Sequence, residues 1–184
     1  MRKFGEIDKE IIEELMCLMR PLDAYLRDEH RRVVVETVLS MGIKVHAFHR
    51  GWELYDGKGK ENIVVHDAVS FSEGIRILSN GKVILSNLPL FADGSHERAL
   101  NALAQKSICL QDKNKWFSDN FREGEGMLYY NMKHPDEIVD KVTQILEHKI
   151  DVESAAEKGN QKVVSGHLWK HRADKIIRIV EELY

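Results

Sequence analysis

The residues best suited to chemistry stand at Asp93-Gly94-Ser95, where the polar loop in LFADGSHERALNALA opens a helical pattern with Ala99, Leu100, Leu103 and Ala104 on its inner face. Asp93 or Ser95 can cap that helix by accepting hydrogen bonds from its first N–H groups. Gly94 lets the backbone approach a ligand closely, and unpaired N–H groups at the positive end of the helix dipole attract an anion. His96 and Arg98 add donors beside them. Two readings stand side by side: an anion site, or a routine cap among solvated polar residues.

Other groups carry less. His167 and His171 in HLWKH have the one-turn spacing of two zinc ligands on a helix, but no third ligand with metal spacing accompanies them, so no metal site is expected. The structural alternative packs Trp169 against the core and pairs Arg172 with an acid. His46 and His49 flank Phe48 on a strand, where alternation puts His46 beside Phe48 and turns His49 toward a cleft. Asp112, closing SICLQD, can bond a sugar hydroxyl or cap the next turn, and capping is the simpler reading. Gly57-Lys58-Gly59-Lys60 lacks the spacing of a phosphate loop and leads into no helix, so it reads as a turn. No serine or cysteine has neighbours that would activate it as a nucleophile, and no catalytic residue is assigned.

The elements that must position these residues alternate along the chain. An apolar stripe over Ile7–Met19 reads as a helix ending before Pro21, and a second helix runs from about Ala24 to Met41, stopped by Gly42. The runs IKVHAF, NIVVH, KVILSNLP, SICLQD and GMLYYN read as strands. Between them lie a helix capped by Ser70 and running through Asn80, the helix SHERALNALAQ and a short one over Lys115–Phe121; Asp136–His148 and two further helices close the chain. Strands separated by helices imply an α/β fold, a doubly wound, Rossmann-like parallel sheet that binds its ligand beyond the carboxyl ends of the strands. Residues 1–22 form an N-terminal helix in this reading, and residues 23–184 the Rossmann-like domain.

With 184 residues, 43% hydrophobic and 31% charged, the chain can enclose one ordinary globular core. A net charge of -3 supplies no basic field for a phosphate backbone, so nucleic acid is an unexpected partner and a small-molecule ligand fits better. The charged start MRKFGEIDKEIIEEL lacks the apolar core of a signal peptide, and no apolar run is long enough to span a bilayer. Cys17 and Cys109 both sit in apolar patterns and read as buried small hydrophobes, which favours a cytoplasmic protein.

Taken together, DGSHERALNALAQKSICLQDKNKWF resembles the signature segment of group 1 glycosyltransferases, in particular their spore-maturation-protein branch. The segment YLRDEHRRVVVETVLSMGIKVHAFHRGWE, with its Gly51-Trp52 pair, is similar to that branch's helix, strand and G-W loop. Further similarity, in the same order, lies in VVHDAVSFSEGIRILSNGKVILSNLP, EGMLYYNMKHPDEIVDKVTQILEH and SGHLWKHRADKI.

The resemblance implies the C-terminal, donor-binding half of a GT-B glycosyltransferase. The ligand would be a nucleotide sugar, bound without a metal and as a substrate rather than a cofactor. The diphosphate would lie at Gly94 and Ser95 with His96, Glu97 and Arg98 nearby, and Asn101 matches the position that holds the ribose. The base would sit by His66, Asp67 and Val69, and near Gly51 and Trp52. Gln105-Lys106 departs from the family's small residue and glycine. An acceptor-binding half, in the same protein or a second chain, would be needed for transfer. The contrasting expectation is a non-catalytic, degenerate module whose N-terminal helices dock a partner; a receiver-like signalling domain fails for want of an acidic cluster after the first strand.

Overall fold

The computed structural model describes residues 8–48, 50–88, 91 and 93–183. Its architecture is α/β. Helix α1 (Lys9–Leu39) leads into strand β1 (Val45–Phe48), a short 3₁₀ turn (Trp52–Leu54), a second one (Lys60–Asn62) and β2 (Ile63–His66). Then follow α2 (Phe71–Asn80), β3 (Val83–Ser86), α3 (Glu97–Ala104), β4 (Ile108–Asp112), α4 (Lys115–Asn120) and β5 (Met127–Tyr130). Three helices close the described chain: α5 (Asp136–Leu146), α6 (Val152–Gly166) and α7 (Trp169–Leu183).

Every ladder between the described strands is parallel, as the alternation of strands and helices requires. The strands pair in two groups, β1 with β2 and β3-β4-β5, rather than in the single sheet expected. Helix α1 connects the groups: its Val34 and Val38 share one core cluster with Val45 of β1 and Leu85 of β3.

The three-stranded sheet is covered on both faces, and strand alternation sorts its residues between them. Ile108, Leu110, Leu128 and Tyr130 point to the α1 and α5 side, where they meet Val34, Val38, Ile138 and Val142. Cys109, Met127 and Tyr129 point to the α3 and α4 side, against Leu100, Leu103, Phe117 and Phe121.

Pro21 does not end the first helix. Although a proline inside a helix removes one backbone donor, the turns on either side continue, and α1 is a single element of 31 residues. Residues 8–26 are all exposed, so the ring meets solvent rather than a packed neighbour. Ile7 lies outside the described residues. Gly42 adopts φ 75 just past the helix and donates its N–H to the Leu39 carbonyl at 3.0 Å, the expected stop. Ser70 caps α2 by accepting from the Glu73 N–H at 3.3 Å.

Cys17 is exposed, contrary to its apolar setting, because among the described residues nothing covers that face of α1. Cys109 is fully buried, and burial pushes its thiol up to about 12. Trp169 is likewise uncovered, at 72% exposure, where a core contact was expected. No described helix is long and apolar enough to cross a membrane.

Candidate functional site

Strand β3 ends under restraint on both sides of Asn87. The Tyr130 hydroxyl donates to the Ser86 carbonyl at 2.8 Å, and the Leu88 N–H donates to Asp112 Oδ1 at 2.6 Å. Asp112 therefore does not cap the next turn; it is half-buried at the wall of a cavity of ≈ 670 Å³. Burial raises its carboxyl above the usual range, opposed by the Leu88 N–H. Asn114 caps α4 instead: its Oδ1 accepts from the Phe117 N–H at 2.9 Å, while its Nδ2 donates to the Gly94 carbonyl at 3.0 Å. One side chain thus ties the loop before α3 to the helix after β4.

Gly94 adopts φ 122, a conformation that L side chains rarely take, and a Cβ there would sit 2.8 Å from the Phe91 ring. The cap of α3 is His96, not Asp93 or Ser95. Extended backbone at His96 brings its Nδ1 to the Arg98 N–H at 3.2 Å. Burial, then the Arg98 charge, lowers the imidazole's pKa. Among the described residues, the N–H groups of Gly94, Ser95 and Glu97 have no acceptor. Ser95 Oγ accepts from Arg172 Nη2 at 3.0 Å, a contact across 77 residues that the sequence pattern does not reveal. Arg172 also lies over the Trp169 ring, 5.1 Å from its centroid, rather than beside an acid. Glu97 and Arg98 are exposed in the first turn and Asn101 is half-buried in the second.

This helix start can attract an anion: free N–H groups, a positive dipole end and the Arg172 guanidinium meet at a loop whose glycine admits close approach. A further polar set lies beside it and was missed in the sequence. Ser86 Oγ, Asn87 Nδ2 and both amide atoms of Gln111 are buried without a well-formed hydrogen bond. The signal was available, since a glutamine inside a strand covered on both faces has to be buried.

The other expected site residues lie at the ends of β1 and β2. His66 closes β2, with its Nε2 2.9 Å from His46 Nδ1 and its ring stacked on Phe48 at 4.3 Å. A groove of ≈ 740 Å³ runs between Arg50, Glu53, Val65, His66, Asp67 and Ala68. Val69 is exposed outside that lining. Gly51, at φ 101, donates its N–H to Glu53 Oε2 at 2.7 Å, and the Trp52 ring leans on Tyr55 at 6.3 Å. The groove's lining includes none of the residues around Gly94. His49 lies outside the described residues.

His167 and His171 are not one turn apart on a helix. His167 is the residue after α6, its ring edge-on to Trp116 at 5.5 Å, and His171 Nδ1 accepts from the Leu168 N–H at 3.1 Å at the start of α7. No group of three metal-ligating side chains occurs among the described residues.

Parallel strands flanked by helices, with a helix start at a strand's carboxyl end, define a Rossmann-like α/β fold. The chain belongs to the glycosyl transferase-like family, whose model matches residues 27–178. Among solved structures it is similar to the crystal structure of TarM, with a TM-score of 0.62 and 11% sequence identity over 83% of this chain. At that identity the likeness shows the fold alone. The match covers 32% of TarM, so this chain corresponds to about a third of that protein's length. A comparison with curated protein sequences returned no match.

Proposed function

We propose that the chain is the donor-binding half of a glycosyltransferase, the C-terminal part of a GT-B architecture, and that it holds a nucleoside-diphosphate sugar at the start of α3. The observation that carries this reading is the set of unaccepted N–H groups at Gly94, Ser95 and Glu97 with Arg172 bonded to Ser95. Diphosphate oxygens only accept hydrogen bonds, which is what those groups lack. Because Ser95 Oγ accepts from Arg172, its own proton is free to donate to a phosphate oxygen. During transfer, negative charge grows on the departing diphosphate, and donors fixed before the reaction stabilise it without rearranging. Asn101 would hold the ribose. The groove at His66 and Asp67, with Val69, Gly51 and Trp52 around it, would receive the base.

Transfer also needs an acceptor site, which in this reading a second domain or chain supplies. Uncovered apolar side chains on α1, such as Leu15, Met19 and Leu22, and on α7, such as Ile176 and Val180, suit a docking partner of that kind. Calorimetry with UDP, GDP and CDP tests the donor site directly. Saturable binding of at least one is expected; an absence of heat with all three at millimolar concentration, in a folded protein, would remove the proposal.

A further inference from the structure

Building on the donor-site reading above, we infer that Ser86, Asn87 and Gln111 form a hydroxyl-reading subsite beside the start of α3, which takes the sugar of the donor while the helix start takes its diphosphate. Ser86 and Gln111 are register partners at the ends of β3 and β4, so their side chains leave the same face of the sheet. That face is the α3 side: Cys109, two residues before Gln111, and Tyr129, the β5 register partner of Gln111, both pack in the cluster with Leu100 and Leu103 of α3. The two side chains therefore lie at the end of the sheet where α3 begins.

Gln111 is 0% exposed and Ser86 2%, yet neither amide atom of Gln111 has a partner among the described residues, and the Ser86 hydroxyl has no well-formed hydrogen bond there, the Cys109 thiol being the polar group that it acts on. Burying an amide with both of its groups unpaired is destabilising, and the flanking pattern of β4 would accept a plain hydrocarbon there. Asn87 is half-buried and carries the row toward the surface with a third unpaired group, its Nδ2. The Tyr130 hydroxyl and Asp112 fix the backbone on either side of Asn87, so the row is held in place before any ligand arrives.

The unpaired groups specify the ligand's chemistry. Asn87 Nδ2 and Gln111 Nε2 donate, Gln111 Oε1 accepts, and the Ser86 hydroxyl does either. A phosphate could satisfy the donors but not Gln111 Oε1. A sugar's hydroxyls donate and accept, and so can satisfy all four. A site built on such buried groups also rejects analogues that lack the hydroxyl, since its own groups are then left unpaired.

The test compares the full chain with Gln111→Met and Ser86→Ala. Each is titrated with UDP and GDP, then with UDP-glucose, UDP-N-acetylglucosamine and GDP-mannose, and melted without ligand. The full chain should bind one nucleotide sugar more tightly than its parent diphosphate. Gln111→Met should bind the parent diphosphate unchanged and that nucleotide sugar about tenfold more weakly, the loss expected for a missing hydrogen bond. Ser86→Ala should lose less, in the same direction. Without ligand, Gln111→Met should melt above the full chain, the reverse of a residue kept for the fold. The inference is overturned if both variants keep the full chain's ratio of sugar to diphosphate affinity, if no nucleotide sugar binds more tightly than its diphosphate, or if Gln111→Met melts lower, as it would were the amide paired with internal water. Should that variant not fold, Ser86→Ala alone decides through the ratio. Loss of diphosphate binding in the full chain itself is a different result, which removes the donor site and this subsite with it.

Discussion

The two strand groups of this protein are built to different standards of closure. All four residues of β5 and the first four of β4 are buried, whereas β1 and β2 together bury only Ala47. The same contrast runs along α1, whose Val34, Val35, Val38 and Leu39 are buried while residues 8–26 are all exposed. The candidate site divides along this boundary. Gly94, Ser95 and His96 stand on the closed half, held by Asn114, Arg172 and the fixed end of β3. His66, Asp67, Val69, Gly51 and Trp52 stand on loops and strand ends of the open half. A close-packed interior transmits position, so the closed half suits groups that must meet a ligand at fixed distances, and the open half suits contacts that adapt.

Breaking the core of each half should expose the contrast most strongly. Phe117→Ala, at a fully buried ring on the closed side, is expected to cost about 3–5 kcal/mol, against less than about 1 kcal/mol for Val65→Ala on β2, which is 40% exposed. Urea unfolding of both variants measures the difference, and similar losses would mean that the two halves are equally closed. Smaller effects should come from the two glycines. Gly94→Ala and Gly51→Ala each place a side chain at positive φ, a strain of about 1–3 kcal/mol, but only the former forces a Cβ against Phe91. Calorimetry should therefore show the larger loss of nucleotide binding for Gly94→Ala, and equal losses would place the two loops on one footing.

The smallest expected effect is acid sensitivity. Burial lowers the pKa of His96, so the folded protein keeps that imidazole neutral while the unfolded chain takes up a proton near its ordinary value of 6.5. Stability from this source is complete above that value and is lost as pH falls through the lower folded value. His167, lowered by burial and then by the Lys162 charge, acts in the same direction. Urea midpoints at about pH 7.5 and about pH 5.5 should show a smaller acid loss in His96→Asn, which keeps a side-chain acceptor at the cap. An unchanged loss would shift the effect to other groups.

Much of the fold was legible because it rests on local periodicity. The strands in IKVHAF and SICLQD, the helix opened by Ser70 and the stop at Gly42 each follow from residues within a few positions of one another. The site was legible to the same extent. The Gly94 conformation and the helix start after β3 could be read from one loop, but α3 begins only at Glu97, which puts the cap at His96, and Ser95 instead accepts from Arg172, 77 residues away. Burial was read less well wherever covering depends on distant chain: Cys17 and Trp169 carry apolar surroundings in the sequence and solvent in the structure.

By itself, the sequence determined the alternation of elements, the parallel α/β class and the loop where an anion can meet helix N–H groups, since these depend on spacing, caps and glycine. Only the tertiary structure decided that Arg172 reaches Ser95 and that Gln111 is buried beside Ser86 with its amide unpaired. Those outcomes depend on which surfaces meet, and a hydrogen-bond partner far along the chain, or the lack of one, leaves no mark on local periodicity.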